Sequence, residues 1–597
     1  MGKGERGLSL PSEKTTPSEE HAMSTPIKGA HAHKLPSHQP TQPPPIPPPI
    51  LVSRFSSECL AYLPCQEHLL QPTPENPLPT AVPPPNPSLA GTLGARHVIC
   101  FIGLPEVGKA FLAHRTCQYL SFFHGVKAKL FELSEYRART GAPPGSEENA
   151  QLLLSDLSTF MQGNVDGASR NMDSLTPRKQ HSSHESSPRT TPSGSRRESF
   201  DASDSCGLVT RQHVDAGRVA IVYANDSFDS LKEIWSGTSK EGRRWAADML
   251  KADKSVMAQL MFIEVIVSVP ALISANICAK AAARGCPKPS QEHIDEAIGR
   301  VADYAGVYVT LQDDGSEDDL SYVKVINYGK KVVANKMNGH LKMRMAQFLS
   351  AIHTSRHVIY LSRHGQSEYN VLGKIGGNPP LSAAGDEYAV RLGNWVPANV
   401  WRQEGKIVQA RLWTSSLQRT ILTARHIPHP VLHFPPSSSS LHSLPLQPRP
   451  RPDDEEWEQT APRVYRSLDE IFAGEYEGYR YEDIRAKAAK EASLRSLDKL
   501  GYRYPRGESY YDIIQRVAPL IHEIETYHEP LLIVSHQAVL RIMYSYFMGL
   551  PRTSAPKIEI PLHTVIKITY DGFSPPKEER FFLGPNLGAK ACEDACF

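Results

Sequence analysis

The sequence predicts an α/β protein made of a parallel-sheet domain followed by a second α/β domain, and three observations predict it. Short apolar runs at HVICFIG (97–103), RVAIVYA (218–224), QLMFIEVIV (259–267) and YVKVINYG (322–329) read as buried strands. Helical segments around 146–160, 230–250 and 289–306 lie between them, and strands alternating with helices make a parallel sheet covered on both faces. The same texture restarts at HVIYLSRHG (357–365), with further strands at RLWTSS (411–416) and PLLIVSH (530–536), each ending in polar residues.

The rest of the 597 residues surrounds these two units. Twenty of the 50 prolines fall in residues 1–95, which marks that stretch as a disordered tail. PPPIPPPI (43–50) within it has the stiffness to dock an aromatic-lined groove, though a plain extension is the simpler reading. The first domain, 96–350, is broken at 163–216 by a Ser-, Thr-, Arg- and Asp-rich insertion without apolar periodicity. The motif SRRESFD there offers Ser199 to a basophilic protein kinase. The second domain, 355–587, carries a proline-rich and then acidic insertion at 434–459.

Composition excludes several classes. A net charge of +2 with 22% charged residues gives no large single-sign field, against a nucleic-acid or membrane-surface partner. The most apolar stretch (260–277) is interrupted by Glu264 and Pro270, so a strand, a turn and a helix start fit it better than a membrane span. MGKGERGLSLPSEK lacks the apolar core of a secretory signal, and Arg6 stands where a myristoylation signal wants Ser or Thr. Nine sparse cysteines, with none between Cys286 and Cys592, suit a reducing compartment; Cys592 and Cys596 read as scattered thiols. A soluble, cytoplasmic protein is expected, and a homodimer is left open.

GLPEVGKA (103–110) follows the first strand and opens a helix, the setting of a phosphate-cradling loop. Gly103, Gly108 and Lys109 match GxxxxGK[ST], but Ala110 stands where Ser or Thr would ligate Mg²⁺. The second-strand motif RVAIVYANDS offers Tyr223 where an Asp would hold that ion, with Asp226 nearby. The loop is expected to bind a nucleotide such as ATP without using it, because phosphoryl transfer is almost wholly positioning and charge stabilisation.

LSRHGQSEYN (361–370) is the most informative segment. Arg363 and His364 sit just past a buried strand, where a parallel sheet opens its crevice. SSLQRTILTA brings Arg419, VSHQAVLR brings His536 and Arg541, and SLDEIFAGE brings Glu470. Two histidines, several arginines and a carboxylate at strand ends are the set needed to grip a phosphoryl dianion, attack it and protonate a leaving oxygen.

Residues 357–585 resemble the histidine phosphatase superfamily. GKIGGNPPLSAAG (373–385), YEDI (481–484), LRSLDK (494–499), YRYPRGESY (502–510), SHQAVLR and PLHTVIKIT (561–569) resemble the bisphosphatase half of 6-phosphofructo-2-kinase/fructose-2,6-bisphosphatase. From GLPEVGK through FELSEYRART (131–140) to DLSYVKVINYGKKVVANK (319–336), the first domain resembles that family's kinase half; the match covers 97–162, 217–432 and 461–585. The resemblance implies a P-loop NTPase-like sheet domain followed by a phosphoglycerate mutase-like α/β domain. It implies His364 as the nucleophile that forms a phosphohistidine, Glu470 as the general acid, and Arg363, Asn370, Arg419 and His536 as holders of the phosphoryl oxygens. Gly376, Tyr481, Arg495, Lys499, Tyr510, Gln537 and Arg541 match positions that bind the rest of the sugar phosphate, and no metal is implied there. Arg495, Lys499 and Arg541 supply the second cationic cluster that a bisphosphate needs. In the kinase-like half Arg137 and Lys280 keep positive charge for a sugar phosphate or nucleotide.

The leading expectation is therefore a phosphatase that converts fructose 2,6-bisphosphate to fructose 6-phosphate and phosphate, with a degenerate kinase half. Its alternatives are a bifunctional enzyme that still uses ATP and fructose 6-phosphate, and a histidine phosphatase for another phosphorylated metabolite with the first domain as a regulatory binding module.

Overall fold

The structure, a computed structural model, describes residues 96–162, 217–225, 228–254, 256–286, 288–434, 455–570 and 574–584. The tail 1–95, the insertion with Ser199, Asp226, residues 435–454, Cys592 and Cys596 lie outside the described residues.

Strands β1 (Arg96–Ile102), β2 (Lys127–Glu132), β3 (Arg218–Tyr223), β4 (Gln259–Ile266), β5 (Tyr322–Ile326) and β6 (Lys331–Asn335) form one six-stranded sheet, ordered β2-β3-β1-β4-β5-β6. The four strands expected from apolar runs are its centre, where both faces are covered. β2 and β6 escape that criterion because they are edges: KAKLFE and KVVAN mix exposed and half-buried positions, with Phe131 the one buried side chain between them. The pairs from β2 through β5 are parallel, as expected, and β6 adds an antiparallel edge to β5. Helix α1 (Lys109–Tyr119) starts directly behind the loop after β1, at Gly108 with φ 82°.

The helix expected over 230–250 is broken. Ser236 Oγ and Thr238 Oγ1 both donate to the Leu231 carbonyl at 2.7 and 2.5 Å, and Gly237 takes φ 64°. These side-chain bonds compete with the helical ladder. Ser239 then caps a new helix, Lys240–Ala252, through the Gly242 amide. Over 260–277 the chain forms β4, a turn, and α2 (Pro270–Ala283), as expected. Among the described residues no helix is long and apolar enough to cross a membrane.

The second sheet contains β7 (His357–Arg363), β8 (Arg411–Thr414), β9 (Pro462–Val464), β10 (Leu531–Ser535), β11 (Thr564–Tyr570) and β12 (Lys577–Phe582), ordered β9-β8-β10-β7-β11-β12. β7, β8, β9 and β10 are parallel, and β11 and β12 close one side antiparallel. The 434–459 insertion is also shorter than its composition suggested. Val431–Phe434 pairs antiparallel with Glu455–Glu458, and Gln459 is fully buried with its amide bonded to the Val408 carbonyl.

Helices α3 (Ala383–Asn399), α4 (Gln418–Ala424), α5 (Tyr481–Lys487), α6 (Ala489–Leu497), α7 (Tyr510–Glu525) and α8 (Gln537–Phe547) cover the second sheet and its crevice. The core is continuous across the two sheets. Tyr119 at the end of α1 stacks on Phe348 at 4.2 Å and accepts or donates a 2.8 Å hydrogen bond with His522 of α7. One buried cluster runs from Ile99 and Phe111 to Ile521, Met543 and Tyr546.

Candidate active site

The crevice at the C-terminal ends of β7, β8 and β10 gathers the RHG residues. His364 is 3% exposed, and its Nδ1 lies 2.7 Å from the Gly365 carbonyl oxygen. A carbonyl only accepts, so Nδ1 carries the proton and Nε2 keeps a lone pair. Burial, then Arg419 and Arg363, hold the imidazole well below its ordinary range, so it is neutral at physiological pH. The His364 amide donates to the Ser535 carbonyl at 3.0 Å, which fixes the His364 loop to β10.

His536 packs 5.1 Å from His364, ring centre to ring centre. Its Nδ1 accepts from Arg419 Nε at 3.2 Å, so the ring proton sits on Nε2 and is donated to Ser415 Oγ at 2.7 Å. Both nitrogens of His536 are thus engaged within the protein, and it orients Arg419. Arg419 also donates from Nη1 to the Gly377 carbonyl at 2.8 Å. Arg363 is pulled down to about 10 by burial and by Arg541 and Arg419, with Glu470 opposing. Its Nε is buried with no hydrogen-bond partner. A buried, unpartnered guanidinium N–H is costly unless an anion completes it.

Glu470 Oε1 accepts from the Ile471 and Ala538 amides at 3.0 and 3.1 Å, placing the carboxylate at the start of α8. Arg516 braces its loop by donating to the Ser467, Asp469 and Glu470 carbonyls. Asn370 Oδ1 closes a capping box with Ser367, which leaves its NH₂ for a ligand oxygen. Gly376 takes φ 68°, and a Cβ there would run into the Glu477 carboxylate.

The second cationic cluster lies where α5 and α6 meet, with Arg541 of α8 near enough for its charge to act on Lys499. Arg495 donates from Nη2 to Tyr481 Oη at 3.1 Å and from Nε to Tyr504 Oη at 2.8 Å, its guanidinium lying over both rings. Lys499 is lowered to about 8 by burial and by the Arg541 and Arg495 charges. Arg541 donates to Tyr510 Oη at 3.3 Å, and Gln537 follows His536 as the first residue of α8. A cavity of about 320 Å³ opens at this end, lined by Tyr481, Arg495, Lys499, Tyr502 and Tyr504. His364, His536 and Arg419 thus form one cluster and Tyr481, Arg495 and Lys499 line a cationic cavity, and the Arg541 charge acts on both Arg363 and Lys499.

The loop of the first domain is arranged differently. Gly103 approaches the Val265 carbonyl and Gly108 the Tyr328 hydroxyl so closely that neither tolerates a Cβ. Lys109 is fully buried, its Nζ donating to the Leu104 carbonyl. Glu106, at φ 59°, sends its carboxylate to Lys280 of α2 at 3.1 and 3.2 Å, and its carbonyl accepts from Asn276 at 2.8 Å. Tyr223 donates to Glu132 at 3.2 Å, and Asn225 to the same carboxylate at 2.9 Å. Arg137 lies 3.5 Å from Asp229. Ala110 and Tyr223 offer no oxygen suited to Mg²⁺, and among the described residues no group of three or more His, Cys, Asp or Glu is placed to hold a metal.

Comparison with known proteins matches these two halves. Residues 359–432 and 455–579 fit the model of the histidine phosphatase superfamily (branch 1), and residues 228–356 fit that of 6-phosphofructo-2-kinase. The 6-phosphofructo-2-kinase/fructose-2,6-bisphosphatase of Caenorhabditis elegans is 31% identical over 478 residues, 79% of this chain and 86% of that protein. The enzyme of that name from Aquarana catesbeiana is 30% identical, covering 79% of this chain and 82% of its own length. The chain belongs to the 6-phosphofructo-2-kinase/fructose-2,6-bisphosphatase family. Rattus norvegicus 6-phosphofructo-2-kinase/fructose-2,6-bisphosphatase 3 is also 30% identical, over 79% of this chain and 69% of its own.

Against that family, the kinase-model match begins at residue 228, beyond the Gly103–Lys109 loop. Reading the sequence also missed residues that act through others: Ser415 on His536, Arg516 on the Glu470 loop, and Tyr504 on Arg495. Ser415 and Tyr504 lie within quoted motifs and Arg516 outside them, but an isolated Ser, Arg or Tyr carries no chemistry until folding gives it a partner.

Proposed function

We propose that this protein hydrolyses fructose 2,6-bisphosphate to fructose 6-phosphate and phosphate through a phosphohistidine at His364, and that its kinase half makes no fructose 2,6-bisphosphate. The observation that carries the first part is the neutral, Nδ1-protonated His364 beside Arg363, whose buried Nε lacks a partner. Nε2 attacks the phosphorus of the 2-phosphate, the bond to the sugar oxygen breaks, and Glu470 delivers the proton to that oxygen. Water then attacks phosphorus, Glu470 takes its proton, and the P–N bond breaks to restore His364. Arg363, Arg419 and the Asn370 NH₂ balance the phosphoryl charge, while Arg495, Lys499 and Arg541 take the 6-phosphate. Tyr481, Tyr510, Gln537 and Gly376 complete the sugar side. The chemistry calls for no metal.

Loss of synthesis is supported by Ala110, by Tyr223 in place of a carboxylate, and by the Glu106 carboxylate within the phosphate loop. Neither Ala110 nor Tyr223 supplies Mg²⁺ with a ligand, so no step is assigned to Mg·ATP; the loop glycines and Lys109 remain as its cradle. Membership of a family with two named activities favours a bifunctional reading. Two assays on the full chain decide between them. Substrate labelled at the 2-phosphate should leave acid-labile label on the wild type and none on His364→Ala; label retained by the variant overturns the nucleophile. Mg·ATP-dependent synthesis measured in the His364→Ala background should be absent, and its detection establishes the bifunctional enzyme.

A further inference from the structure

Glu477 follows Glu470 by seven residues on the same loop and reaches across the crevice to the segment after His364. Its carboxylate accepts from the Gly377 amide and, at 2.7 Å, from the Ala473 amide. The two segments are laced further by Ile375 N to Tyr479 O at 2.9 Å and Gly478 N to Ile375 O at 2.8 Å. Gly377 is the hinge of the arrangement, because its carbonyl accepts Arg419 Nη1 at 2.8 Å while its amide is held by Glu477. Arg419 in turn bonds His536. Gly376 has no Cβ because the Glu477 carboxylate occupies that space. The Glu477 charge also favours the charged form of Arg419 against the burial that disfavours it.

We propose that Glu477 is a positioning residue for the phosphoryl-transfer step: through the Gly377 peptide it sets the Arg419 guanidinium against the phosphoryl group and ties the acid-bearing loop to the nucleophile side. A carboxylate is required because it accepts from two backbone amides at once; a carboxamide presents an NH₂ to one of them. Of the sugar-side positions Gly376 alone adjoins Glu477, while the cations Arg495 and Lys499 are held by Tyr481 and Tyr504 and line a cavity that does not include it. Its loss therefore acts on turnover more than on substrate affinity.

This inference rests on the phosphatase reading, and the experiment separates the two. Full-length wild type, Glu477→Gln and Glu477→Asp are assayed with fructose 2,6-bisphosphate, and orthovanadate binding, a mimic of the transferring phosphoryl group, is followed by vanadium NMR. Glu477→Gln should lower kcat by roughly 100-fold with KM changed by less than about threefold, and weaken vanadate in parallel with kcat. Glu477→Asp should recover part of both. A wild type without turnover that still binds vanadate overturns the substrate reading, while the Glu477→Gln vanadate affinity continues to test the positioning role. Vanadate affinity unchanged in both variants overturns the proposal, as does a kcat loss matched by an equal loss of folded protein in circular dichroism.

Discussion

Arg115 and Glu525 form a buried salt bridge between the two halves of the chain. Arg115 lies on α1, whose first residue is Lys109 of the phosphate loop; Glu525 ends α7, whose first residue is Tyr510 of the sugar site. The Arg115 guanidinium also lies over the rings of Tyr546 and Tyr570, and Tyr546 Oη bonds Glu525 at 3.2 Å. The kinase-like half is thus part of the phosphatase's own packing, whatever it binds.

Arg115→Met leaves the buried Glu525 carboxylate without its counter-ion, which is expected to cost about 3–5 kcal/mol of stability. Chemical denaturation of the full chain measures it. The double variant Arg115→Met/Glu525→Leu should recover much of the loss, since replacing a buried ion pair by apolar groups is close to neutral.

His364 is neutral in the fold, so the rate of phosphohistidine formation should not fall as pH drops through about 6.5, the ordinary histidine value. Arg419 is the largest charge holding it down after burial. Arg419→Gln should therefore move the His364 imidazole titration upward, read by NMR. An unchanged titration would remove Arg419 from that role.

His357 is buried, stacked against His353 and Tyr570, and lowered to about 3 by burial and the Arg115 charge. Its folded value lies below its unfolded one, so the unfolded chain binds the extra proton between about pH 6.5 and 3. Stability is full above 6.5 and falls as pH drops through that window, by up to about 1.4 kcal/mol per pH unit for this group. His357→Phe keeps the stack and removes the proton; the slope of unfolding free energy against pH should lessen by that amount.

Tyr504→Phe removes the acceptor of Arg495 Nε without emptying the cavity wall. Loss of one hydrogen bond to a charged group is expected to raise KM for fructose 2,6-bisphosphate about tenfold. Because Tyr504 is remote from His364 in the chain of contacts, kcat should stay within about twofold.

Glu106→Ala withdraws the carboxylate from the phosphate loop. Like charges facing one another in a binding site cost several kcal/mol, so ATP affinity by calorimetry should rise about tenfold or more. Synthesis should remain absent, because Ala110 and Tyr223 are untouched.

The chain itself carried the central strands, since a run such as HVIYLSRHG is buried on both faces and shows it by composition alone. It carried the candidate catalytic set as well, because the RHG and SHQ segments follow such strands and the proposed chemistry requires those residue types there. Edge strands β2, β6 and β12 were not legible, as half-exposed alternation resembles a loop. The helix break at Ser236 and Thr238 depends on side-chain bonds that propensity does not register.

Tertiary structure alone decided which groups serve others. Glu477 meets Gly377 from 100 positions away and Arg115 meets Glu525 from 410, distances over which no local pattern reports a contact. It also decided the tautomers: a histidine's proton goes where its partner can accept or donate, and the Gly365 carbonyl and Arg419 Nε become those partners through the fold. Sequence specified the reagents of the site; packing assigned their protons, charges and reach.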